Sequence, residues 1–572
     1  MYTLGFSHDL WLSSAALLKD GRIVAAVAEE RLNGRKRYKG FPKLAIRKCL
    51  SMEGLRLEDV DQIAVGWNPL SHMESPHPRF SGTARWRPEY LYAVPNLLLQ
   101  EVERFPHGPI RQKIGDFKAE ILYVDHHLAH AACAYYLSPF KSAAVITADG
   151  RGERETSILG IATPGGIVKL DSVFYPHSLG LFYAAFTEFL GFSPESDQWK
   201  VMALGAYGRH VPRLYEKVRG LVEVDAKTGR FALDLDMFGY HQPDIYGGRY
   251  CAPQLADRLG IEPVTPPAGL KKRHYDLACA LQAAYEDALW KMLRALHRQT
   301  GLKDVVLAGG CGMNSLANGK ITRRSPFSRV YIPSCPDDSG IAPGAALWAY
   351  HEHGRRRKEI PRSTADLHNY WGPSYDGEAE STLQKYKIPY EKLADAPKTA
   401  AALIADGRLV GWFQGRMEFG QRALGNRSIL ADPRDATMKD KINAAVKYRE
   451  AFRPFAPAIL AKEAAAYFEM PKDDFVPYME KVCSFRAAAK PLVPAVVHQD
   501  GTGRIQTVSR KSNPRFYRLI EEFERLTGVP IVLNTSFNLN GEPIVCEPKD
   551  AIRTFFSCGL DALIVGDCLV RK

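Results

Sequence analysis

The chain has 572 residues, a formal net charge of +12, 46% hydrophobic and 24% charged residues; at roughly 150 residues per domain this exceeds one core and calls for two to four domains. The composition excludes a disordered chain, and the lack of an apolar run of about 18 residues excludes a membrane-spanning helix. Ten cysteines without a CxxC pair argue against a zinc ribbon and suit reduced thiols; with no basic-then-apolar leader at the N-terminus, a cytoplasmic protein is expected.

In chain order, the first 30 residues read as a strand, SSAALL and DGRIVAAVAEE, with Asp20 and Gly21 between apolar runs as a hairpin turn. Residues 43–51 have helical spacing, and QIAVGW (62–67) reads as a buried strand. Residues 68–115 are rich in proline and aromatics and lack a period, the pattern of an insertion or lid. From Ile121 the order is strand (ILYV), helix from His126, strand (AAVITAD), tight turn (GRGE) and strands SILGIA and IVKLDSVF. Helices are expected at 181–190 and 274–299. DVVLAGG reads as a strand ending in Gly309 and Gly310, followed by a helix after Asn314, a strand at 329–332 and a helix at 340–350. HGRRRKEIPRS (353–363) is charged, poor in apolar residues and reads as the domain linker. A second α/β unit follows, with strands at 409–413, 531–533 and 562–565 and helices near 397–405, 436–446, 516–526 and 548–557. The basic residues are dispersed, densest at 35–37 and 355–358 without interleaved aromatics. That argues against a nucleic-acid partner and suits an enzyme handling phosphates.

VDHHLAHAACAYY (124–136) carries His126, His127 and His130. With Asp125 as N-cap, His126 and His130 stand four apart on one helix face, as metal ligands or as a polar helix end. His127 points elsewhere, to a phosphate or to a structural partner. Asp149 ends a strand in a glycine-flanked turn, and PDDSG (336–340) places Asp337 and Asp338 before a small-residue helix. Asp338 alone reads as a helix cap. Two histidines with one or two aspartates make a mixed N/O site suited to iron, manganese or zinc. AGGCGMN (308–314) lets backbone approach an anionic ligand at a helix N-terminus, although it is neither GxGxxG nor a P-loop.

These motifs occur with SSAALLKDGRIVAAVAEERL, SLGLFYAAFTEFLGF, QWKVMALGAYG, GRMEFGQRALGNRSIL, KYREAFRPFAPAIL and LNTSFNLNGEPIV, and so span almost the whole chain. Through them the sequence resembles the antibiotic and nodulation-factor O-carbamoyltransferases, the group that includes tobramycin and cephem carbamoyltransferases. The resemblance implies an α/β protein with an actin/hexokinase-like ATPase domain (duplicated ribonuclease H-like) at 1–355 and a linker at 356–370. A C-terminal α/β domain at 371–572 would resemble the YrdC-like fold that forms carbamoyl-adenylate. The implied reaction makes carbamoyl-adenylate from carbamoyl phosphate and ATP with Mg2+. The carbamoyl group then passes to a hydroxyl of a specialised metabolite, an antibiotic or a sugar-containing natural product.

The same resemblance makes His126, His130, Asp149 and Asp338 ligands of Fe(II) or another divalent metal. It assigns nucleotide binding to His127, Gly150, Gly180, Lys200, Gly309, Gly310 and Asn314. Carbamoyl phosphate would fall to Arg416, Arg422, Lys447, Arg449, Arg453, Asn534 and Ser536, since guanidinium forks suit phosphate oxygens. His8, with Asp9, is the expected base for the acceptor hydroxyl. Here Leu10, Trp11 and Leu12 intervene before the SAAL strand, which lengthens that loop and puts Trp11 at the acceptor pocket. Acceptor-determining loops are expected in 68–115 and 210–265, together with a homodimer and no membrane partner. Two other readings stay open. One is a tRNA-modifying threonylcarbamoyl-type enzyme of the same architecture, supported only by the positive charge. The other is a metal- and nucleotide-binding ATPase without transfer, which the C-terminal cations oppose.

Overall fold

The computed structural model describes residues 1–70, 119–265, 269–354, 367–450 and 452–572, with isolated positions between 91 and 98. Asp20 and Gly21 both take positive φ, 48° and 76°, the type I′ geometry that a two-residue hairpin requires. Strand β1 (Tyr2–Ser7) pairs antiparallel with β2 (Ser14–Lys19), and the turn carries β2 into β3 (Arg22–Ala28). Across β1 lie β4 (Gln62–Val65) and β5 (Glu120–Tyr123), both running parallel to it, for a sheet order of β3-β2-β1-β4-β5.

The second sheet is built from β6 (Ala143–Ala148), β7 (Glu155–Thr163) and β8 (Gly166–Phe174). After a hairpin of β9 (Val222–Val224) and β10 (Phe231–Leu233), it is completed by β11 (Asp304–Ala308) and β12 (Arg329–Tyr331). Its order, β12-β11-β6-β7-β8, repeats the first sheet. In each, an antiparallel meander flanks one side of the leading strand and two parallel strands the other. The same order and directions used twice are the duplicated ribonuclease H-like architecture expected of the N-terminal unit. Strand β6 is buried along its whole length, as its unbroken apolar run requires of a central strand.

The helices that position the site are α1 (Lys43–Met52), α2 (His126–Tyr136), α3 (Leu179–Phe189), α4 (Gln198–Leu204), α5 (Lys272–Thr300) and α6 (Ile341–Gly354). Helix α6 lies on β1 and α2, and small residues make that approach available. A Cβ on Gly344 would stand 2.0 Å from the Ala129 carbonyl oxygen, and one on Gly5 2.1 Å from that of Ala342. The run GIAPGAAL thus lets two helices meet backbone to backbone, which brings Asp338, just ahead of α6, to the histidines of α2.

The C-terminal unit is α/β, on one eight-stranded mixed sheet. Its strands are β13 (Glu391–Lys392), β14 (Val410–Phe413), β15 (Arg427–Ala431), β16 (Ala456–Leu460), β19 (Gln506–Val508), β20 (Ile531–Ser536), β21 (Ala562–Val565) and β22 (Cys568–Arg571). A separate pair, β17 (Val482–Ser484) and β18 (Thr502–Arg504), lies beside it. Helices α7 (Ala396–Ala405), α8 (Pro514–Thr527) and α9 (Pro548–Phe556) cover the sheet. Trp412, Phe413, Phe516 and Phe537 fill one core with it, each worth about 1.5–3 kcal/mol of burial. The helix expected at 436–446 is shorter, Met438–Ile442, and continues as a π-helical turn, Asn443–Lys447.

The two units are joined directly. Ala26 N–H donates to Trp371 O at 3.0 Å, and Asn318 Nδ2 donates to Glu480 O at 2.9 Å. Of the expected linker, 356–366 lies outside the described residues. Residues 369 and 370 already pack on the C-terminal unit, where Tyr370 OH donates to Leu424 O at 2.9 Å. Most of the insertion expected at 68–115 also lies outside the described residues. No helix among the described residues is long and apolar enough to cross a membrane.

Candidate functional site

His126 and His130 leave the same face of α2, and their Nε2 atoms stand 3.1 Å apart. Asp149 Oδ2 lies 3.1 Å from both, and Asp338 Oδ1 lies 3.6 and 3.7 Å from them. All four ligand atoms fall within 4.8 Å of one another. Two imidazole nitrogens and two carboxylate oxygens thus converge on one point. A neutral nitrogen pair plus two carboxylate oxygens is a donor set for a divalent transition metal. Burial alone would raise the Asp149 carboxyl; hydrogen bonds and charge from His126 and His130 hold it well below the usual carboxylate range.

Backbone holds the carboxylates in place. Asp149 Oδ1 accepts from Gly150 N at 2.7 Å and Gly310 N at 3.1 Å, and Asp338 Oδ2 accepts from Trp11 N at 2.9 Å. The glycines expected near nucleotide gather here. A Cβ on Gly180 would lie 2.7 Å from Gly150 N, and Gly309, at φ +89°, has room for none because Ala148 O is 2.2 Å away. Nothing stands within 4 Å of a Cβ on Gly150, so the turn has open space above it. The N-cap expected from Asp125 is supplied instead by Glu153, whose carboxylate takes His126 N–H at 3.0 Å, while Asp125 accepts from Asn68. Burial, with Asp125 adding to it, pushes Glu153 up to about 8.

Three residues expected at the nucleotide are otherwise engaged. His127 is 1% exposed; its Nε2 lies 3.0 Å from Glu155 O and its Nδ1 2.7 Å from Thr147 Oγ1, so both nitrogens are taken inside the fold. Asn314 exchanges amide hydrogen bonds with Gln282 and caps the following turn through Ala317 N. Lys200 pairs with Asp197 at 3.2 Å and with Glu450 at 3.0 Å, which places it at the junction with the C-terminal unit. His8 is buried, its Nδ1 3.1 Å from Asp9 Oδ2.

A second centre, rich in cations, lies in the C-terminal unit. Lys447 ends the π-helical turn, with its ammonium donating to Ser536 O at 2.6 Å, Asn538 O at 2.9 Å and Asn538 Oδ1 at 2.9 Å. Burial first, then the charges of Arg449, Arg453 and Lys36, holds this amine well below its ordinary value. Desolvation likewise lowers Arg422 to about 10 and Arg449 to about 9, in both cases with Arg453 adding to it. The guanidinium of Arg453 stacks over Trp199, 4.1 Å from the ring centroid. Ser536 Oγ and Asn534 line the same strand end; Asn534 Nδ2 is held by Gln506 and Ala423, while its buried Oδ1 has no protein donor.

Arg504, on β18, belongs to this cluster and was not among the residues expected from sequence. Burial and the charges of Arg422, Arg449 and Arg453 hold it well below an ordinary arginine, and its buried Nε has no protein partner. A lone arginine beside the fully buried Ile505 in a short strand was the available signal. Arg416 does not belong to it. Its guanidinium is spent on the carbonyls of Gly372 at 3.0 Å, Val24 at 2.6 Å and Trp371 at 2.6 Å, tying the two units together.

Residues 3–347 match the family profile described as Carbamoyltransferase N-terminus, and residues 401–572 the one described as Carbamoyltransferase C-terminus. The chain is 37% identical over 590 residues to nodulation protein NolNO of Sinorhizobium fredii, spanning 99% of this chain and 79% of that protein. It is 35% identical over 604 residues to an uncharacterized protein of Synechocystis, spanning 100% of this chain and 97% of the other. Full-length HypF in its phosphate- and nucleotide-bound form superposes over 61% of this chain and 55% of its own with a TM-score of 0.33 at 13% identity, too slight to weigh.

Proposed function

The chain belongs to the carbamoyltransferase family and is an enzyme of carbamoyl transfer, and from that premise we propose an ATP-dependent O-carbamoyltransferase acting on a hydroxylated metabolite in the cytoplasm. The observation that carries this reading is the cation cluster of half-buried Arg422, Arg449, Arg453 and Arg504 around the buried Lys447, lowered first by desolvation and then by one another's charge. Glu450 offsets part of this charge, 3.2 Å from Arg453; a small, highly charged anion would relieve the rest, and carbamoyl phosphate is a dianion with an amide end. The acceptor oxygen of Asn534 Oδ1 suits that amide.

Water cleaves carbamoyl phosphate to carbamate and phosphate, and the carbamate oxygen displaces pyrophosphate from the α-phosphorus of ATP. The acceptor hydroxyl then attacks the carbamoyl carbon, gives its proton to a base and expels AMP. His8, its Nδ1 beside Asp9, has the base-and-orienter arrangement that the last step needs. The Gly150 turn, with open space above it and Gly180, Gly309 and Gly310 packed close beneath, would give nucleotide phosphates close access to backbone. A divalent ion, Fe(II) in this reading, held by His126, His130, Asp149 and Asp338 would supply positive charge to phosphate oxygens.

The test is incubation with isotopically labelled carbamoyl phosphate, ATP and hydroxylated metabolites. The expected result is a carbamoylated product by mass spectrometry, formed only with both co-substrates and matched by AMP. No product and no AMP would remove the proposal.

A further inference from the structure

A cleft of about 480 Å³ is lined by Trp11, Lys36, Arg37, Lys39, Glu195 and Tyr250. It adjoins the chemistry through backbone: Trp11 N–H reaches Asp338 Oδ2 at 2.9 Å, and Asp9 N–H donates to Lys39 O at 2.6 Å. The loop that carries the base thus contributes Trp11 to the cleft and is tied by backbone both to a carboxylate of the metal-type centre and to Lys39 of the cleft wall. The volume lies in the range of small-molecule sites and far exceeds what carbamoyl phosphate fills.

The charge of the lining is one-sided. Its one carboxylate, Glu195, is already engaged, with Oε2 3.5 Å from Lys39 Nζ and Oε1 accepting from Tyr250 OH at 3.0 Å. The Glu195 carbonyl takes the Trp11 indole N–H at 2.6 Å, which fixes an aromatic wall. Lys36 and Arg37 add two cations that no other carboxylate of the lining balances. Desolvation lowers the Lys36 ammonium, and the charges of Arg31, Arg453 and Arg37 add to this against the pull of Glu30. Cations beside aromatic walls attract a hydroxylated ring that bears negative charge and repel one that bears amines.

We propose that this cleft binds the acceptor, and that the acceptor is a polyhydroxylated ring carrying a carboxylate or phosphate; the identification rests on the carbamoyl-transfer reading above. Saturation-transfer NMR on the full chain tests it with glucuronate, glucose 6-phosphate, glucose and glucosamine, which share a ring and differ in charge. The expected signal for one or both anionic sugars exceeds that for glucose by about fivefold or more, is weakest for glucosamine and falls with added salt. Arg37→Gln reduces that preference, and Lys39→Glu turns it toward glucosamine. Equal signals for the four sugars, or a preference unchanged in both variants, overturn the proposal. Pyrophosphate release from ATP and carbamoyl phosphate, which needs no acceptor, is measured alongside. Pyrophosphate release without a charge preference removes only the acceptor class, whereas a charge preference without pyrophosphate release removes the transfer reading.

Discussion

Arg504 illustrates how much a single residue can be held against its own preference. It sits among Arg422, Arg449 and Arg453, desolvated and pushed well below the ordinary arginine range. A site that concentrates like charge in this way is destabilised until its anion arrives, so function and stability pull in opposite directions here. Arg504→Gln, which keeps length and loses charge, is expected to raise KM for carbamoyl phosphate by about tenfold or more while KM for ATP stays nearly constant. Without carbamoyl phosphate, the same variant unfolds at a higher temperature than the parent. Steady-state AMP release and a thermal melt check the two halves; equal rises in both KM values would argue for a merely structural arginine.

At the scale of elements, the metal-type centre depends on one helix contact as much as on its ligands. Gly344 of α6 meets the Ala129 carbonyl of α2, and any larger residue forces the helices apart by overpacking that costs about 1–3 kcal/mol. Gly344→Val is therefore expected to lose divalent-metal affinity by roughly tenfold or more, as displaced supports of a metal site do, although no ligand is touched. Metal content after competition with a chelator measures this, and a variant that retains metal like the parent defeats the idea. The pairing of His126 with His130 was legible because a period of 3.6 puts them on one face. Asp149 and Asp338 were legible as aspartates at strand and helix ends. What was not legible came from distance in sequence: Glu153 took the cap that local pattern gave to Asp125, and Gln282 took Asn314. The sheet orders likewise place β11 beside β6 across about half of the N-terminal unit, a pairing that no hairpin signal announces.

Across the whole molecule, the two units share a small cleft, about 60 Å³, whose walls include Tyr207 from the first and Phe452, His498 and Arg504 from the second. Such a junction makes stability sensitive to charge. His498 is lowered to about 4, first by burial and then by Arg504 and Lys439, with Asp500 pulling the other way; its Nδ1 lies 3.1 Å from Thr502 Oγ1. The unfolded chain binds that proton near the ordinary histidine value of about 6.5, so between pH 6.5 and 4 the unfolded state holds more protons than the folded one. Stability is fully present above that window and falls as pH drops through it, by up to about 3 kcal/mol from this group. Glu480, pushed up to about 7 chiefly by burial, acts in the opposite sense, losing stability as pH rises toward 7. The informative quantity is therefore the difference between parent and variant. His498→Gln should unfold with a smaller loss of midpoint between pH 7.5 and 5 than the parent, measured by thermal or urea denaturation at each pH. Parallel pH profiles for the two proteins would show that the junction is indifferent to His498.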